Sequence, residues 1–492
     1  MTETAKKKRG MPSSFTILLA LLAIVAVVTV IVSGTSGGAV TAARLSDFCT
    51  APIKGFADAL PVCLFVMILG GFLGMMTETG ALDNGIAVLV QKLKGNEIML
   101  IPVLMLIFSL GGTTYGMCEE TVPFYALLAA TMMAAGFDPM VGAATVLLGA
   151  GCGCLGSTVN PFAVGAAVDA LTGVDIAVNQ SIIIGLGAVL WLVTTVMSIV
   201  FVMNYAKKVK ADKGSTILSM QELKDAEEAH GKAASEVHKE VKLTGRQKGV
   251  LIAFAFTFVV MIVGFIPLAD LNEGVANFFD AGAVYDADGN AVVQGWSALI
   301  TGLPIGQWYF DEASTWFFLM AILIGIIGGL SEKQIVNTFI TGAADMMSVV
   351  LVIALARGIS VLMASTGLDV FVLDAAVNAL AGLSGVIFAP MSFLVYFGLS
   401  FLIPSTSGMA TVSMPIMGPL AVKLGFSPEV MVMIFSAAIG VVNLFTPTSG
   451  AIMGGLALAK IEWTTWLKFA LKLIVALSVV CAVILTVACV LL

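Results

Sequence analysis

Long apolar runs dominate the chain and alternate with short polar stretches. Runs such as 14–32, 181–204 and 464–491 are long enough to cross a bilayer as helices of about 20 residues. Two polar stretches stand in apolar surroundings: Gly112–Thr121 reads GTTYGMCEET, and Ile403–Ser413 reads IPSTSGMATVS. In hydrocarbon, irregular polar backbone persists only where it is buried in protein or lines a water-filled cavity. The pattern predicts an all-α polytopic membrane protein with polar sites inside it.

Each polar stretch lies between apolar arms that are too short to cross a membrane. Arms of about 14 residues flank the first stretch, which is typical of a re-entrant helical hairpin. After each hairpin, an apolar helix is interrupted by a proline, at Pro161 and at Pro447. Proline removes a backbone donor and clashes with the preceding turn, so these helices should break. We predict hairpins at 97–135 and 385–424, and broken helices at 140–173 and 427–460.

The two halves of the chain repeat one another. Gly55-x-x-Asp58 matches Gly342-x-x-Asp345, and Gly71 matches Gly358, each at an offset of 287 in the numbering. An extra span reverses the orientation of the second half, so we predict two inverted repeats, a plan that secondary transporters use. The predicted segments are a cytoplasmic tail (1–12), the first repeat (13–204), a cytoplasmic linker (205–248), a connecting span (249–267), an extracytoplasmic loop (268–311) and the second repeat (312–491).

The distribution of basic residues supports one orientation. The chain is 59% hydrophobic and 11% charged, which excludes an ordinary soluble protein. Most of its 24 Lys and Arg residues fall in segments that are cytoplasmic if the N-terminus is inside, chiefly Lys6–Arg9 and the 205–248 linker. We expect a multi-pass protein of the plasma (inner) membrane, with a cytoplasmic N-terminus, an extracytoplasmic C-terminus and lipid rather than nucleic acid as its surroundings. A signal peptide is the alternative interpretation of the basic start.

Neutral hydrogen-bonding residues cluster at the hairpin tips and at the breaks. Broken half-helices direct their N-termini towards anions and their unwound carbonyls towards cations. Any one of these residues is equally consistent with a helix–helix hydrogen bond, but four clusters at matched places predict a shared site for substrate and ion. The predicted site residues are Thr113, Thr114, Tyr115, Gly116, Glu119, Glu120, Ser157, Thr158, Asn160, Ser405, Thr406, Ser407, Gly408, Asn443, Thr446, Thr448 and Ser449.

Charged residues in apolar segments are the other candidates. A carboxylate in mid-membrane costs a few kcal/mol, so Glu119 and Glu120 are functional candidates by default. Adjacent helical residues point about 100° apart, so one glutamate can face the cavity while the other caps the returning arm. Arg357 is interpreted as a structural partner, and Asp58 and Asp345 as N-caps of the helices that follow them.

No cofactor is expected. The seven cysteines are odd in number and scattered through apolar segments, so Cys152 and Cys154 are interpreted as small-residue helix packing and not as a metal site. Both histidines lie in the charged linker. Sodium near the hairpin tips and a proton both stay open as the coupling ion.

These motifs resemble a known family. The GTTYGMCEET tip, the GGFLGMMTETGALD segment and the two hairpin-plus-broken-helix units resemble the YfcC-like carriers of the ion transporter superfamily, related to C4-dicarboxylate carriers and basic amino acid antiporters. The likeness covers nearly all of 10–490. It implies an elevator-type carrier, compatible with a homodimer, in which hairpins and broken helices move as a transport domain past a scaffold.

The expected function is therefore transport and not catalysis. The second tip is uncharged and suits a carboxylate, whereas the glutamates of the first tip suit a cationic group. We expect a secondary transporter of small metabolites, with basic amino acid exchange of the arginine/ornithine type first. The alternative substrate is a C4-dicarboxylate or another organic acid, carried with sodium or protons. A channel and an intramembrane enzyme are the rival classes, but re-entrant hairpins suit alternating access and no HExxH or nucleophile–base pair occurs in the sequence.

Overall fold

The structure is a computed structural model that describes residues 14–492 except 83, 86–87, 89–95, 237–241, 267, 272, 287–290, 381–382 and 404. The expected cytoplasmic tail (1–12) and the first residue of the second hairpin tip, Pro404, lie outside the described residues.

Helices make up most of the first half. In lipid, every backbone polar group has to be satisfied within the protein, and an α-helix does this inside one segment. The helices are α1 (Ser14–Ser33), α2 (Leu45–Asp58), α3 (Leu60–Glu78), α4 (Leu100–Tyr115), α5 (Val122–Ala134), α6 (Pro139–Leu155), α7 (Ala166–Thr172) and α8 (Gln180–Ala211). Short 3-10 turns cover Glu97–Met99 and Glu119–Thr121, and a π turn covers Pro161–Gly165.

The second half has a similar order of helices after a connecting segment. This connector consists of the polar helix α9 (Met220–Glu236) and the apolar helix α10 (Gly245–Phe265), then α11 (Leu268–Leu271), α12 (Glu273–Phe279) and an antiparallel pair of strands, β1 (Val284–Tyr285) and β2 (Ala291–Val293). The remaining helices are α13 (Phe310–Gly328), α14 (Glu332–Asp345), α15 (Met347–Thr366), α16 (Leu368–Leu380), α17 (Gly385–Leu402), α18 (Thr406–Lys423), α19 (Pro428–Val442), α20 (Gly450–Leu458) and α21 (Trp463–Leu491).

Among the described residues, eight helices are long and apolar enough to cross a membrane. One of them is the first hairpin arm, which is continuously helical over Glu97–Tyr115 for 19 residues. The expectation of a shorter arm was wrong, because the helix continues through the polar residues of the tip. The returning arm, α5, has 13 residues and is shorter than a span.

The helices pack as two bundles. The first bundle contains α1–α3, α10 and α13–α15, with α2 against α15 and α3 against α14. The second bundle contains α4–α8 and α17–α21, with α4 and α5 against α6 and α17 and α18 against α19. Glycines bring the first-bundle helices together: a Cβ on Gly55 would overlap the backbone of Gly358, and one on Gly70 would lie 2.5 Å from the carbonyl oxygen of Gly342. The bundles meet where α20 packs on α15.

The N-cap assignments of Asp58 and Asp345 were wrong. Asp58 is the last residue of α2 and Asp345 the last residue of α14, and the N-caps of the next helices are Ala59 and Met346. The sequence interpretation missed α2 and α14 because both are short and amphipathic. A search for apolar runs that are long enough to span a membrane does not detect such helices, so both segments look like polar loops.

The long helix α8 is bonded to the start of each broken helix. At its C-terminal end, the Tyr205 hydroxyl donates to Asp138, the N-cap of α6, at 2.6 Å. At its N-terminal end, the Asn179 backbone N–H donates to Glu429, in the first turn of α19, at 2.7 Å. Both ends of α8 are therefore attached to the second bundle.

The connector helix α9 also docks on the second bundle. Its Glu222 accepts a hydrogen bond from the backbone N–H of Glu462, at 2.9 Å, and His230 bonds the carbonyl oxygen of Leu458, at 3.1 Å. The next helix, α10, packs instead on α13 of the first bundle. The connector therefore passes from one bundle to the other between α9 and α10.

Candidate functional site

A cavity of about 300 Å³ lies where the two bundles meet. Its second-bundle wall comes from both hairpin tips and both breaks, and its first-bundle wall comes from α2, α3, α13 and α15. Nine of the seventeen predicted site residues line it: Gly116, Glu119, Asn160, Ser405, Thr406, Ser407, Asn443, Thr448 and Ser449. The cavity therefore joins parts of the chain that are far apart in sequence, such as Gly116 and Ser449.

The first tip is built by threonines that bond to backbone carbonyls. The Thr114 hydroxyl donates to the carbonyl oxygen of Leu110 at 2.7 Å, within α4. The Thr113 hydroxyl donates to the carbonyl oxygen of Gly156 at 2.6 Å and so ties the tip to the first break. Gly116 ends the helix in the left-handed region, at a φ of 82°, where a residue with a side chain is strained. The two threonines hold the tip, whereas Gly116 faces the cavity.

The first break, between α6 and the π turn, is closed by its own polar groups. The backbone N–H of Thr158 donates to the carbonyl oxygen of Thr113 at 2.8 Å. The Asn160 amide donates to the Ser157 hydroxyl at 2.9 Å, and its oxygen accepts from the Phe162 backbone N–H at 2.9 Å. Asn160 is therefore fixed in one orientation at the cavity wall, with Ser157 and Thr158 behind it.

The second tip presents a helix N-terminus to the cavity. Ser405 is the N-cap of α18, and its hydroxyl accepts from the Gly408 backbone N–H at 3.1 Å. Ser405, Thr406 and Ser407 all line the cavity. The first-turn N–H groups carry the positive end of the helix dipole, so this wall favours a carboxylate.

Two tryptophans that the sequence interpretation missed support the second break. The indole N–H of Trp466 donates to the carbonyl oxygen of Leu444 at 2.9 Å, and that of Trp463 donates to Phe445 at 2.7 Å. Both carbonyls follow the end of α19, where helical partners run out. In the same break, the hydroxyls of Thr446 and Thr448 lie 2.7 Å apart. The break is thus a defined structure, with Thr448 at the cavity wall and Thr446 behind it.

Among the described residues, three charged side chains line the cavity. Glu119 comes from the first tip, and Asp58 and Arg357 come from α2 and α15 of the first bundle. The Arg357 Nε donates to an Asp58 carboxylate oxygen at 2.9 Å. Arg357 is therefore a structural partner, as the sequence interpretation had it, and a cavity-lining group as well. With one guanidinium against two carboxylates, the formal charge of the lining is minus one.

Aromatic pairs join the two bundles beside the cavity. Tyr115, at the end of α4, stacks on Phe265 of α10 with ring centroids 5.3 Å apart. Phe162, just after the first break, stacks on Phe310 of α13, also at 5.3 Å. Since Phe162 and Phe310 both line the cavity, this pair forms part of its wall. Such contacts add roughly 0.5–1.5 kcal/mol each to the packing of the bundles.

The remaining predicted residues lie near the cavity but outside its lining. They are Thr113, Thr114, Tyr115, Ser157, Thr158, Gly408 and Thr446; the side chain of Glu120 lies outside the described residues. The lining also includes thiols and a phenol that the sequence interpretation did not select, those of Cys118, Cys154 and Tyr125. Cys118 lies two residues after the GTTYG motif. This proximity is the one sequence signal that could have identified it.

Serine and threonine hydroxyls line the cavity at the second tip and at the second break. Within the described part of the chain, no group of three or more His, Cys, Asp or Glu side chains could hold a metal ion.

Comparison with known proteins identifies relatives among carriers. Residues 35–490 match the family of DcuC, the C4-dicarboxylate anaerobic carrier. An uncharacterised protein of Haemophilus influenzae is 28% identical over 90% of this chain and 78% of its own length. YfcC of Escherichia coli, provisionally named a basic amino acid antiporter, is 27% identical over 87% of this chain and 77% of its own length.

Among solved structures, MtrF of Neisseria gonorrhoeae, described as one of a class of antimetabolite efflux pumps, has 17% identity and a TM-score of 0.45. The alignment covers 98% of this chain and 96% of MtrF, but at this similarity it carries no argument. The match over 35–490 leads to one conclusion: this multi-pass membrane protein, a YfcC-like carrier, belongs to the DcuC C4-dicarboxylate anaerobic carrier family.

Proposed function

We propose that this protein is a secondary transporter that exchanges basic amino acids, of the arginine and ornithine type, across the membrane. The cavity at the junction of the bundles is the substrate site. The observation that carries the proposal is the distribution of charge around that cavity.

The cavity offers different chemistry at its two ends. The second tip supplies first-turn N–H groups and hydroxyls without a carboxylate, which suits the α-carboxylate of an amino acid. Glu119, on the first tip, suits an ammonium or guanidinium group. Arginine carries a net charge of plus one and neutralises a lining whose formal charge is minus one. A dicarboxylate would raise the negative charge to minus three, which is unfavourable in a partly dehydrated site.

Contacts between helices support an arrangement of inverted repeats. Both bounds of α14 follow those of α2 at the repeat offset, since 332 minus 45 and 345 minus 58 both give 287. The helices α3 and α15 start at the same offset, at 60 and 347. The packing of α2 on α15 is matched by the packing of α14 on α3, as a two-fold relation requires. We infer that the first bundle is a scaffold built around the two-fold axis that relates the two repeats.

The division into two bundles supports an elevator mechanism. The hairpin tips and the breaks all belong to the second bundle, which supplies most of the lining. The first bundle contributes the ion pair of Asp58 with Arg357 and apolar groups. In our proposal, the second bundle carries the substrate past the first, and sodium or a proton accompanies it where exchange is not one for one.

A C4-dicarboxylate is the second candidate substrate. The family match and the guanidinium of Arg357 at the cavity wall both favour it. For a dianion to bind, Arg357 would have to leave Asp58 or be shared with it, and Glu119 would have to be neutral. Basic amino acids need neither change.

Exchange in proteoliposomes tests the proposal. Vesicles that contain the protein and ornithine should accumulate labelled arginine, and vesicles without internal amino acid or without protein should not. Because counterflow requires an internal substrate, this result also separates a carrier from a channel. Accumulation of labelled succinate against internal succinate, with no arginine exchange, would favour the second candidate and refute the first.

A further inference from the structure

A second cavity, larger than the first, lies on the connector side of the molecule. Its volume is about 560 Å³. Helices α3 and α14 line it from the first bundle, α5 lines it from the second, and His230 of the connector helix α9 lies at its edge. The charge pattern of the sequence predicts that this connector is cytoplasmic. In that orientation, the second cavity lies on the cytoplasmic side of the first.

A small apolar cluster separates the two cavities. This cluster, which we call the septum, is distinct from the main core and comprises Ala59, Cys63, Val66, Val122, Met346, Val349, Val350, Ile353 and Ala451. Ala59, Ile353 and Ala451 also line the first cavity, and Met346 lines the second. Along the hairpin, Thr121 lines the first cavity, Val122 belongs to the septum and Pro123 lines the second.

The septum lies on the axis that relates the two repeats. Six of its seven first-bundle residues form pairs at the repeat offset of 287: Ala59 with Met346, Cys63 with Val350, and Val66 with Ile353. In the middle pair, the two equivalent residues touch each other, since the Cys63 thiol donates to the carbonyl oxygen of Val350 at 3.9 Å. A residue that contacts its own repeat equivalent lies at the axis.

The same offset exchanges the two cavities. Asp58 lines the first cavity and its equivalent, Asp345, lines the second. Arg357 lines the first cavity, and its repeat equivalent, Gly70, lines the second cavity. An operation that maps the septum onto itself thus maps one cavity onto the other, as expected for the two openings of an alternating-access path.

We propose that the second cavity is the cytoplasmic vestibule of the transport path and that the septum is the fixed barrier between it and the site. This inference rests on the proposed function. The first-bundle residues of the septum stay in place, whereas Val122 and Ala451, which belong to the second bundle, slide past them. Transfer of the tip across this one apolar layer brings the site from the first cavity into the second.

At the positions related by the repeat offset, the two cavities differ in one charge, while Glu119 of the first cavity and Glu78 of the second lie outside these pairs. In the first, Arg357 holds Asp58. In the second, Gly70 stands at the equivalent place, and no ion pair joins Asp345 to another described residue. A basic amino acid that leaves the site on the cytoplasmic side meets the carboxylate of Asp345 without a competing guanidinium. The vestibule therefore suits a cation, which is consistent with the substrate class proposed above.

Thiol accessibility tests the position of the vestibule. Thr341→Cys places a thiol in the second cavity, and Ile340→Cys, one residue earlier on α14, places one on an exposed surface outside that cavity. A charged, impermeant thiol reagent is applied to inside-out and to right-side-out vesicles, and the labelling of the unchanged protein is subtracted. Labelling at position 341 should be at least roughly tenfold faster than at position 340, because a thiol in lipid loses thiolate, and should occur only from the cytoplasmic side.

Labelling of Thr341→Cys from the outside, or at the same rate as Ile340→Cys, would overturn the assignment of the vestibule. This readout does not depend on the substrate. A failure to exchange arginine would refute the proposed function and leave the vestibule standing, whereas the reverse result would refute the vestibule alone.

A bulky substitution tests the barrier. Val122→Trp enlarges the one hairpin residue of the septum, and Val103→Trp enlarges an exposed residue of α4 as a matched control. Overpacking by a tryptophan side chain should slow exchange at least roughly tenfold in the septum variant. The septum variant should still bind arginine, and the control variant should exchange at the rate of the unchanged protein. Normal exchange by Val122→Trp would refute the septum as the barrier. Should the variant fail to bind arginine, the vestibule result decides the proposal.

Discussion

Replacement of Glu119 by glutamine should weaken cationic substrates selectively. The variant Glu119→Gln keeps an oxygen acceptor at the first tip and removes its negative charge. Hydrogen bonds to a charged partner contribute roughly 1.5–3 kcal/mol, compared with about 0.5–1.5 kcal/mol for neutral ones. The substitution therefore costs the difference, about 1–1.5 kcal/mol. Because each step of about 1.4 kcal/mol is a factor of ten in affinity, we expect arginine to bind about 5–12 times more weakly.

Citrulline provides the matched ligand, because it has the shape of arginine without the charge. Its ureido group can still bond to the glutamine, so its affinity should change by less than about threefold. The variant has a cavity lining of zero formal charge, since Arg357 then faces only Asp58. Succinate should therefore bind the variant no worse than it binds the unchanged protein.

The assay is equilibrium binding of labelled arginine to purified protein, with citrulline and succinate as competitors. Glu227→Gln, an exposed carboxylate of the connector helix, controls for a general effect of charge removal. Equal weakening of arginine and citrulline would show that Glu119 supports the fold of the tip and not the charge of the substrate. An unchanged affinity for arginine would refute the assignment of the cationic group to this tip.

Three further predictions follow from the topology and from the two breaks. Cysteines introduced by Ser215→Cys and Ala291→Cys should be labelled by an impermeant reagent on intact cells at position 291 only, and labelling at 215 alone would refute the inverted arrangement. Gly116→Ala should lower exchange strongly and should lower stability by roughly 1–3 kcal/mol, because the new Cβ would lie 2.6 Å from the amide oxygen of Asn160. Gly136→Ala is the control, since Gly136 has a similar φ but open space around it. Thermal unfolding should show a smaller loss of stability for this control. Trp466→Phe should lower stability by about 1–3 kcal/mol, since it leaves a buried carbonyl unpaired, and an unchanged melting temperature would contradict this role.

Helix positions near the polar tips could be predicted because apolar runs and prolines are local signals. The second helix of the chain was missed for a physical reason. In α2, polar residues and Pro52 accompany the apolar ones, and its apolar face packs on α15 while Leu45 and Ile53 are exposed. No apolar run of membrane-spanning length marks such a helix. Its equivalent, α14, was missed for the same reason.

The charges of the site could be predicted only in part. Glu119 was identified because a carboxylate in an apolar segment needs an explanation. The ion pair of Arg357 with Asp58 joins residues far apart in the chain, and no sequence period indicates such a contact. The support of the second break by Trp463 and Trp466 was missed because an indole counts as apolar in a hydropathy pattern, and its single donor matters only when an unpaired carbonyl lies near it.

The bonds at the two ends of α8 have a mechanical consequence. This helix has 32 residues. At the rise of an α-helix its length is about 48 Å, so it acts as a spacer of fixed length between the two broken helices. One end is tied to the N-cap of α6 and the other to the first turn of α19. In the proposed elevator mechanism, the two broken helices would therefore shift along the membrane normal together. The two sides of the substrate site would then keep their separation during transport.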